Sequence, residues 1–233
     1  LEHPPLAKIL LGAAYVAGGW IAARFLSAVF GTISILLAYI IGKELFGSKI
    51  FGLLAAFLLS IETLHLGLSR VATIDVYAYA FGMAALYFAI RQKKEGIKRN
   101  IALFWVASGL ALACKWIAAL LVFPALLLAL STKPKEVVAY SPIAPLSYLA
   151  TYAWALRTFG PWGTLKAVFW PLNPLLWSLT YRSWGLRISP IHGFKMWNFW
   201  FGFCPANYVA AGDYFTYVIM ISYPLWIPAS VLL

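Results

Sequence analysis

"GLALACKWIAALLV", Gly109 to Val122, sets a lysine in the middle of an apolar run. From Ile101 to Leu130 the sequence is apolar except for Lys115. As one helix, the run puts the loops at 91–99 and 131–136 on opposite faces of a bilayer. Both loops are basic: "RQKKEGIKR" and "STKPKE". Lys- and Arg-rich loops favour the cytoplasmic side. Breaking the run at Cys114–Trp116 returns both loops to that side, at the cost of spans of about 15 residues, below the usual minimum of about 17. We read two spans, 101–114 and 116–130, with Lys115 in an outer turn.

The rest of the chain agrees with lipid as the main solvent. Of 233 residues, 63% are hydrophobic and 11% charged, with a mean hydropathy of +0.84. A soluble domain carries about 25% charged residues. The formal net charge of +11 does not point to nucleic acid, because the cations punctuate apolar segments and form no stripe. Cys114 and Cys204 lie in apolar settings without metal-type spacing, which favours simple packing.

The sequence predicts an all-α, polytopic membrane helix bundle with interfacial helices on the outer face. "AGGWIAAR", Ala17–Arg24, divides the first apolar stretch into an interfacial helix at about 5–19 and a span at about 24–42, with Arg24 at its entrance. Further spans are expected at about 50–68, 72–90, 101–114, 116–130, 137–156 and 214–233. Pro142 and Pro145 predict a kink in the 137–156 span. An aromatic, proline-rich outer loop is expected over 157–213. The basic loops 43–49, 91–100 and 131–136 fall on the cytoplasmic side. The remaining charges converge on the outer side: His3, Lys8, Arg24, Glu62, Arg70, Asp75, Lys115 and His192.

An ionisable group at membrane depth is costly unless paired or solvated, so each of these is a site candidate. Arg70 and Lys115 end apolar segments on the side disfavoured for cations. A lipid-linked phosphate suits both, since Arg offers a bidentate fork and Lys a point charge. Snorkelling to headgroups is the equally open alternative. In a continuous helix Glu62 and Arg70 lie about 80° apart, and an ion-pair network with Asp75 is plausible on spacing. Asp75 then holds Arg70 in place. His65 reads as a buried, satisfied histidine, and Asp213 as a helix cap. No glycine-rich phosphate loop, zinc-type cluster or nucleophile elbow is present.

These residues resemble a known family. "HPPLAK", His3–Lys8, with Pro4 and Pro5 at its centre, resembles the first-outer-loop motif of protein O-mannosyltransferases in the GT-C glycosyltransferase superfamily. "IETLHLGLSRVATID" resembles that family's acidic–x7–Arg–x4–Asp pattern at Glu62, Arg70 and Asp75. "GLALACKWIAALLV" is similar to its Lys-Trp segment, and "RFLSAVFGTISILLAYIIGKELFG" to its second span. His192, in "SPIHGFKMW", is matched to an outer-loop histidine.

The resemblance implies inverting transfer of a sugar, typically mannose, from a polyprenyl or dolichyl phosphate to Ser or Thr hydroxyls on the outer or luminal face. It puts Arg70 and Lys115 near the donor phosphate. His3, Pro4, Pro5, Lys8, Arg24, Glu62, Asp75 and His192 would line or support the site. The family's catalytic Asp-Glu pair lies upstream of the proline motif, so no catalytic base is assigned in this chain. Ala7 and Glu62 replace the usual glycine and aspartate. The expectation is an internal piece of a longer, prokaryotic enzyme of the plasma membrane, with the endoplasmic reticulum the eukaryotic equivalent. Its partners would be the lipid-phosphate sugar, a protein or peptide acceptor and the bilayer, with no nucleic acid. Dimerisation and a divalent-metal requirement stay open, and no cofactor is implied. A GT-C transferase acting on lipid A or another glycolipid, a transporter segment and a non-catalytic scaffold are the competing readings. The Lys-Trp segment favours the protein-modifying branch.

Overall fold

A computed structural model describes residues 3–169. The chain divides into two compact units, residues 1–60 with 68–172 and residues 61–67 with 173–233. Among the described residues the secondary structure is helical, with no strand. The expected span 214–233, the 170–213 part of the outer loop, His192, Cys204 and Asp213 lie outside the described residues.

In the first unit, α1 (Leu6–Phe46) is two helical arms joined at Gly18–Gly19. Gly19 has φ +64° and ψ −156°, a conformation that only glycine reaches without strain. Gly47, at φ +66°, ends the second arm. The next helices are α2 (Lys49–Ile61), α3 (Thr63–Arg70) and α4 (Asp75–Glu95). α4 has an acid in its first turn and Lys93 and Lys94 in its last, both complementing the helix dipole. Its stop is Gly96, at φ +65°, whose N–H donates to the Gln92 carbonyl.

α5 (Lys98–Cys114) ends where Lys115 turns extended, at φ −161° and ψ 136°. A 3-10 turn (Trp116–Ala118) then leads into α6 (Ala119–Leu130). The region expected as one kinked span, 137–156, is three helices: α7 (Pro134–Ala139), α8 (Ile143–Ala150) and α9 (Ala153–Phe169). Pro142 lacks an N–H and disfavours helix in the residue before it, so a new helix begins at Ile143 instead of a kink. Residues 157–169, expected as loop, are helical in α9, which bends at Gly160 beside Pro161. The expected 50–68 segment is likewise interrupted, at Glu62.

α4 packs against α1, α5 and α6, and α5 also meets α8. Small side chains make these contacts. Ala85, Ala89, Ala107, Ala125 and Ala129 surround Phe104 and Ile101 in one core cluster. A Cβ on Gly109 would lie 2.4 Å from the Ala144 carbonyl oxygen, so α5 and α8 touch backbone to backbone. Large apolar side chains point outward: Val16 is 87% exposed, Ile21 83% and Leu120 75%. Small residues inside and large ones outside is the packing of helices whose surroundings are as apolar as their side chains. Among the described residues, α1 is long and apolar enough to cross a membrane. The broken pair α2–α3 makes a second such span if taken as one.

Side-chain bonds gather three loop regions at the far end of α4. Lys94 Nζ donates to Glu44 Oε2 at 2.7 Å, and Arg91 Nη1 lies 3.8 Å from Glu44 Oε1. Buried Gln92 donates to Thr132 Oγ1 at 2.9 Å. Lys133 Nζ donates to the Gly96 carbonyl at 2.9 Å. Segments 43–49, 91–100 and 131–136 thus meet at one end, about 30 Å along α4 from Asp75.

Candidate functional site

The site grows from two helix ends. Asp75 is the first residue of α4, where the unpaired N–H groups of the first turn favour a carboxylate. Lys115 sits at the break after α5, where an extended residue swings its side chain off the helix surface. Lys115 Nζ donates to Asp75 Oδ1 at 2.5 Å. The two side chains are 25% and 31% exposed, so the pair is accessible yet partly walled.

The wall is supplied by the N-terminal corner. Ala7, Val76, Tyr77, Cys114 and Ala118 form one buried cluster, with Leu6, Leu10 and Ile74 packed onto it. Pro4 and Pro5 are fully buried, and the Cys114 thiol meets the Ala7 backbone. The segments that carry the proline motif, Asp75 and the Lys-Trp pair are therefore neighbours in space. His3 is half-buried at this corner, whereas Lys8 is exposed.

Ser27 and Tyr77 fasten the cluster to α1. Ser27 Oγ donates to the Ala23 carbonyl at 3.2 Å, so at 3.1 Å the Tyr77 hydroxyl donates to Ser27 Oγ. Neither residue was singled out from the sequence. Serines inside the apolar second arm of α1, Ser27 and Ser34, were the available signal.

The expected Asp75–Arg70 pair does not form; Asp75 is bonded to Lys115. Between them, residues 71–74 make a tight turn, with Thr73 N donating to Val71 O at 2.7 Å and Thr73 Oγ1 to Leu68 O at 3.4 Å. This turn separates the end of α3 from the start of α4, so Arg70 and Asp75 do not share a helix. Arg70 is exposed at the end of α3 and makes no ion pair among the described residues. Arg24 and Lys8 are likewise exposed without ion pairs among the described residues.

In the second unit, Glu62 caps α3. Its Oε1 accepts from Leu64 N at 3.1 Å and its Oε2 from His65 N at 2.5 Å. These are the orphan donors of a helix start, so Glu62 serves as a helix cap instead of joining an ion-pair network. His65 is buried.

Chemically, the Asp75–Lys115 pair carries no net charge, and Arg70, five residues before Asp75 in the sequence, is uncompensated among the described residues. Among the described residues, no group of three or more His, Cys, Asp or Glu side chains is placed to hold a metal ion.

Comparison with known proteins agrees with the motifs. No curated protein and no solved structure matches the chain. The family model for dolichyl-phosphate-mannose–protein mannosyltransferases matches residues 14–157, a stretch that contains Arg24, Glu62, Arg70, Asp75 and Lys115. With that match spanning well over half of its length, the chain belongs to the dolichyl-phosphate-mannose–protein mannosyltransferase family.

Proposed function

We propose that this chain is the donor-binding part of a multi-pass membrane enzyme that moves mannose from a polyprenyl or dolichyl phosphate to Ser or Thr hydroxyls of proteins, on the outer or luminal face, with inversion. Family membership supports a glycosyl transfer of this kind. The observation that carries the site assignment is the Lys115–Asp75 ion pair at the corner formed by Pro4, Pro5 and Ala7.

The chemistry sets what the site must supply. The acceptor oxygen forms a bond to the anomeric carbon as the bond from that carbon to the phosphate oxygen breaks. The hydroxyl proton leaves to a base. The donor phosphodiester carries one negative charge and the departing lipid phosphate two, so charge builds on the phosphate as the bond breaks. Cations fixed beside it stabilise the transition state more than the ground state. Arg70 has the free fork for the phosphate oxygens. Lys115 adds a second cation, and Asp75 aims it; a loose lysine would spend rotamer freedom on finding the donor.

The bilayer reading rests on α1, on the broken pair α2–α3 and on the outward apolar side chains. The loops 43–49, 91–100 and 131–136 then face the cytoplasm, and Asp75 and Lys115 the opposite side.

The test uses the full-length protein in membranes, with polyprenyl-phosphate mannose and a Ser/Thr peptide. Arg70→Ala is expected to lower transfer by about a hundredfold or more, the scale for losing one donor at a developing charge, while the protein stays membrane-integrated. Transfer at the wild-type rate removes Arg70 from the donor site.

A further inference from the structure

The end of the bundle away from Asp75 carries a feature that sugar transfer does not use. Segments 43–49, 91–100 and 131–136 hold nine basic and three acidic residues. All three carboxylates are taken up by cations. Glu44 meets Lys94 and Arg91, Glu95 meets Arg91, and Glu136 meets Lys133. Lys43, Lys49, Lys93, Lys98, Arg99 and Lys135 are left exposed, with no ion pair among the described residues.

An ordinary solvated face interleaves carboxylates among its cations. Here Glu44 links two of the segments, Glu95 and Glu136 pair within their own, and the surplus charge is all of one sign. The fastening also fixes its location, because Lys94–Glu44, Gln92–Thr132 and Lys133–Gly96 bind the three loop regions into one end. Apolar side chains stand exposed beside the cations: Phe46 and Ile50 flank Lys49, and Ile97 precedes Lys98. Exposed cations next to exposed apolar side chains suit a phospholipid, which offers a phosphate and an acyl chain side by side.

We infer that this end is a binding surface for anionic phospholipid headgroups of the adjoining leaflet, beyond any role of its charge in setting topology. The inference rests on the bilayer-embedded reading given above.

The experiment reconstitutes the full-length protein in vesicles of phosphatidylcholine with a minor fraction of phosphatidylglycerol, re-extracts it in mild detergent and counts retained lipids by mass spectrometry. Wild type is expected to retain phosphatidylglycerol on the order of threefold above its bulk fraction, and to lose that excess at high salt. Lys98→Gln/Arg99→Gln and Lys43→Gln/Lys49→Gln should each lower the excess by roughly half or more, with mannosyl transfer in phosphatidylcholine unchanged. Retention at the bulk fraction in wild type overturns the inference, as does a wild-type excess in both double variants. Alkaline carbonate washing separates the two levels. Release from the membrane defeats the bilayer reading itself, whereas an integral protein without anionic preference defeats the headgroup surface alone.

Discussion

Lys115 Nζ and Asp75 Oδ1 lie 2.5 Å apart, joining the end of α5 to the start of α4 across 40 residues of sequence. The contact makes one unit of two groups that the sequence lists separately. Groups that act as a unit have non-additive effects. Asp75→Asn and Lys115→Gln are each expected to slow mannosyl transfer. The double variant should be slowed by less than the product of the two factors, with a coupling of about 1 kcal/mol or more. Transfer rates of the four proteins measure this. Strictly multiplicative effects would mean that the pair does not act together.

Tight backbone packing gives a second prediction, on stability. Gly109→Ala places a Cβ 2.4 Å from the Ala144 carbonyl oxygen and 2.0 Å from Ser147 Oγ, so α8 must move off α5. The expected loss is about 1–3 kcal/mol. Gly12→Ala, with nothing within 4 Å of the new Cβ, is the matched control and should not destabilise. Thermal unfolding of the detergent-solubilised protein compares the two. Equal melting temperatures would contradict the α5–α8 contact.

The hinge in α1 makes a third. Gly19, at φ +64° and ψ −156°, has open space around it, so any penalty on Gly19→Ala is conformational and not steric. The expected cost is about 1–3 kcal/mol, or a straightened α1 that pulls Ala7 away from Cys114. Cysteine cross-linking between positions 7 and 114 reports the second outcome. Unchanged stability together with unchanged cross-linking would show that the break is not fixed by Gly19.

A fourth prediction concerns pH. The hydrogen bond from Lys94, together with the charges of Lys94, Arg91 and Lys43, holds the Glu44 carboxyl below its ordinary value of 4.5. A lowered folded-state value means that the unfolded chain binds the proton more tightly. The contribution of Glu44 is therefore complete above about pH 4.5 and fades as pH falls through the lower folded-state value. Wild-type stability should drop in that acid range, and Glu44→Gln should flatten the drop. Parallel acid profiles for the two proteins would contradict the pairing.

Particular residues show why some of this was legible in the sequence and some was not. Lys115 interrupts an apolar run, and a helix ends beside it at Cys114. Gly18–Gly19 lies in the stretch chosen to divide the first apolar segment, and the backbone leaves the helical region there. Both are strong local signals, a charge in lipid-like surroundings and a residue with unusual backbone freedom. The partner of Asp75 was not legible. Closeness in sequence pointed to Arg70, but a four-residue turn lies between the two, and Lys115 reaches Asp75 only through tertiary packing. Glu62 misled for a related reason, since a carboxylate within an apolar run reads alike as an ion-pair partner and as a helix cap. Three helices replace one kinked segment after Pro134 because each turn is stabilised by its own local hydrogen bonds, as at Ile143 N to Tyr140 O, which hydropathy does not register.

We propose that Lys115, aimed by Asp75, binds the phosphate of a lipid-linked sugar donor. The most direct measurement is steady-state mannosyl transfer by the full-length protein in membranes, titrated separately with polyprenyl-phosphate mannose and with a Ser/Thr peptide. Lys115→Gln is predicted to lower kcat/KM for the donor by about tenfold or more, with the peptide KM unchanged. Donor kinetics identical to wild type in that variant, or no transfer by the wild-type protein, would remove Lys115 from the donor site.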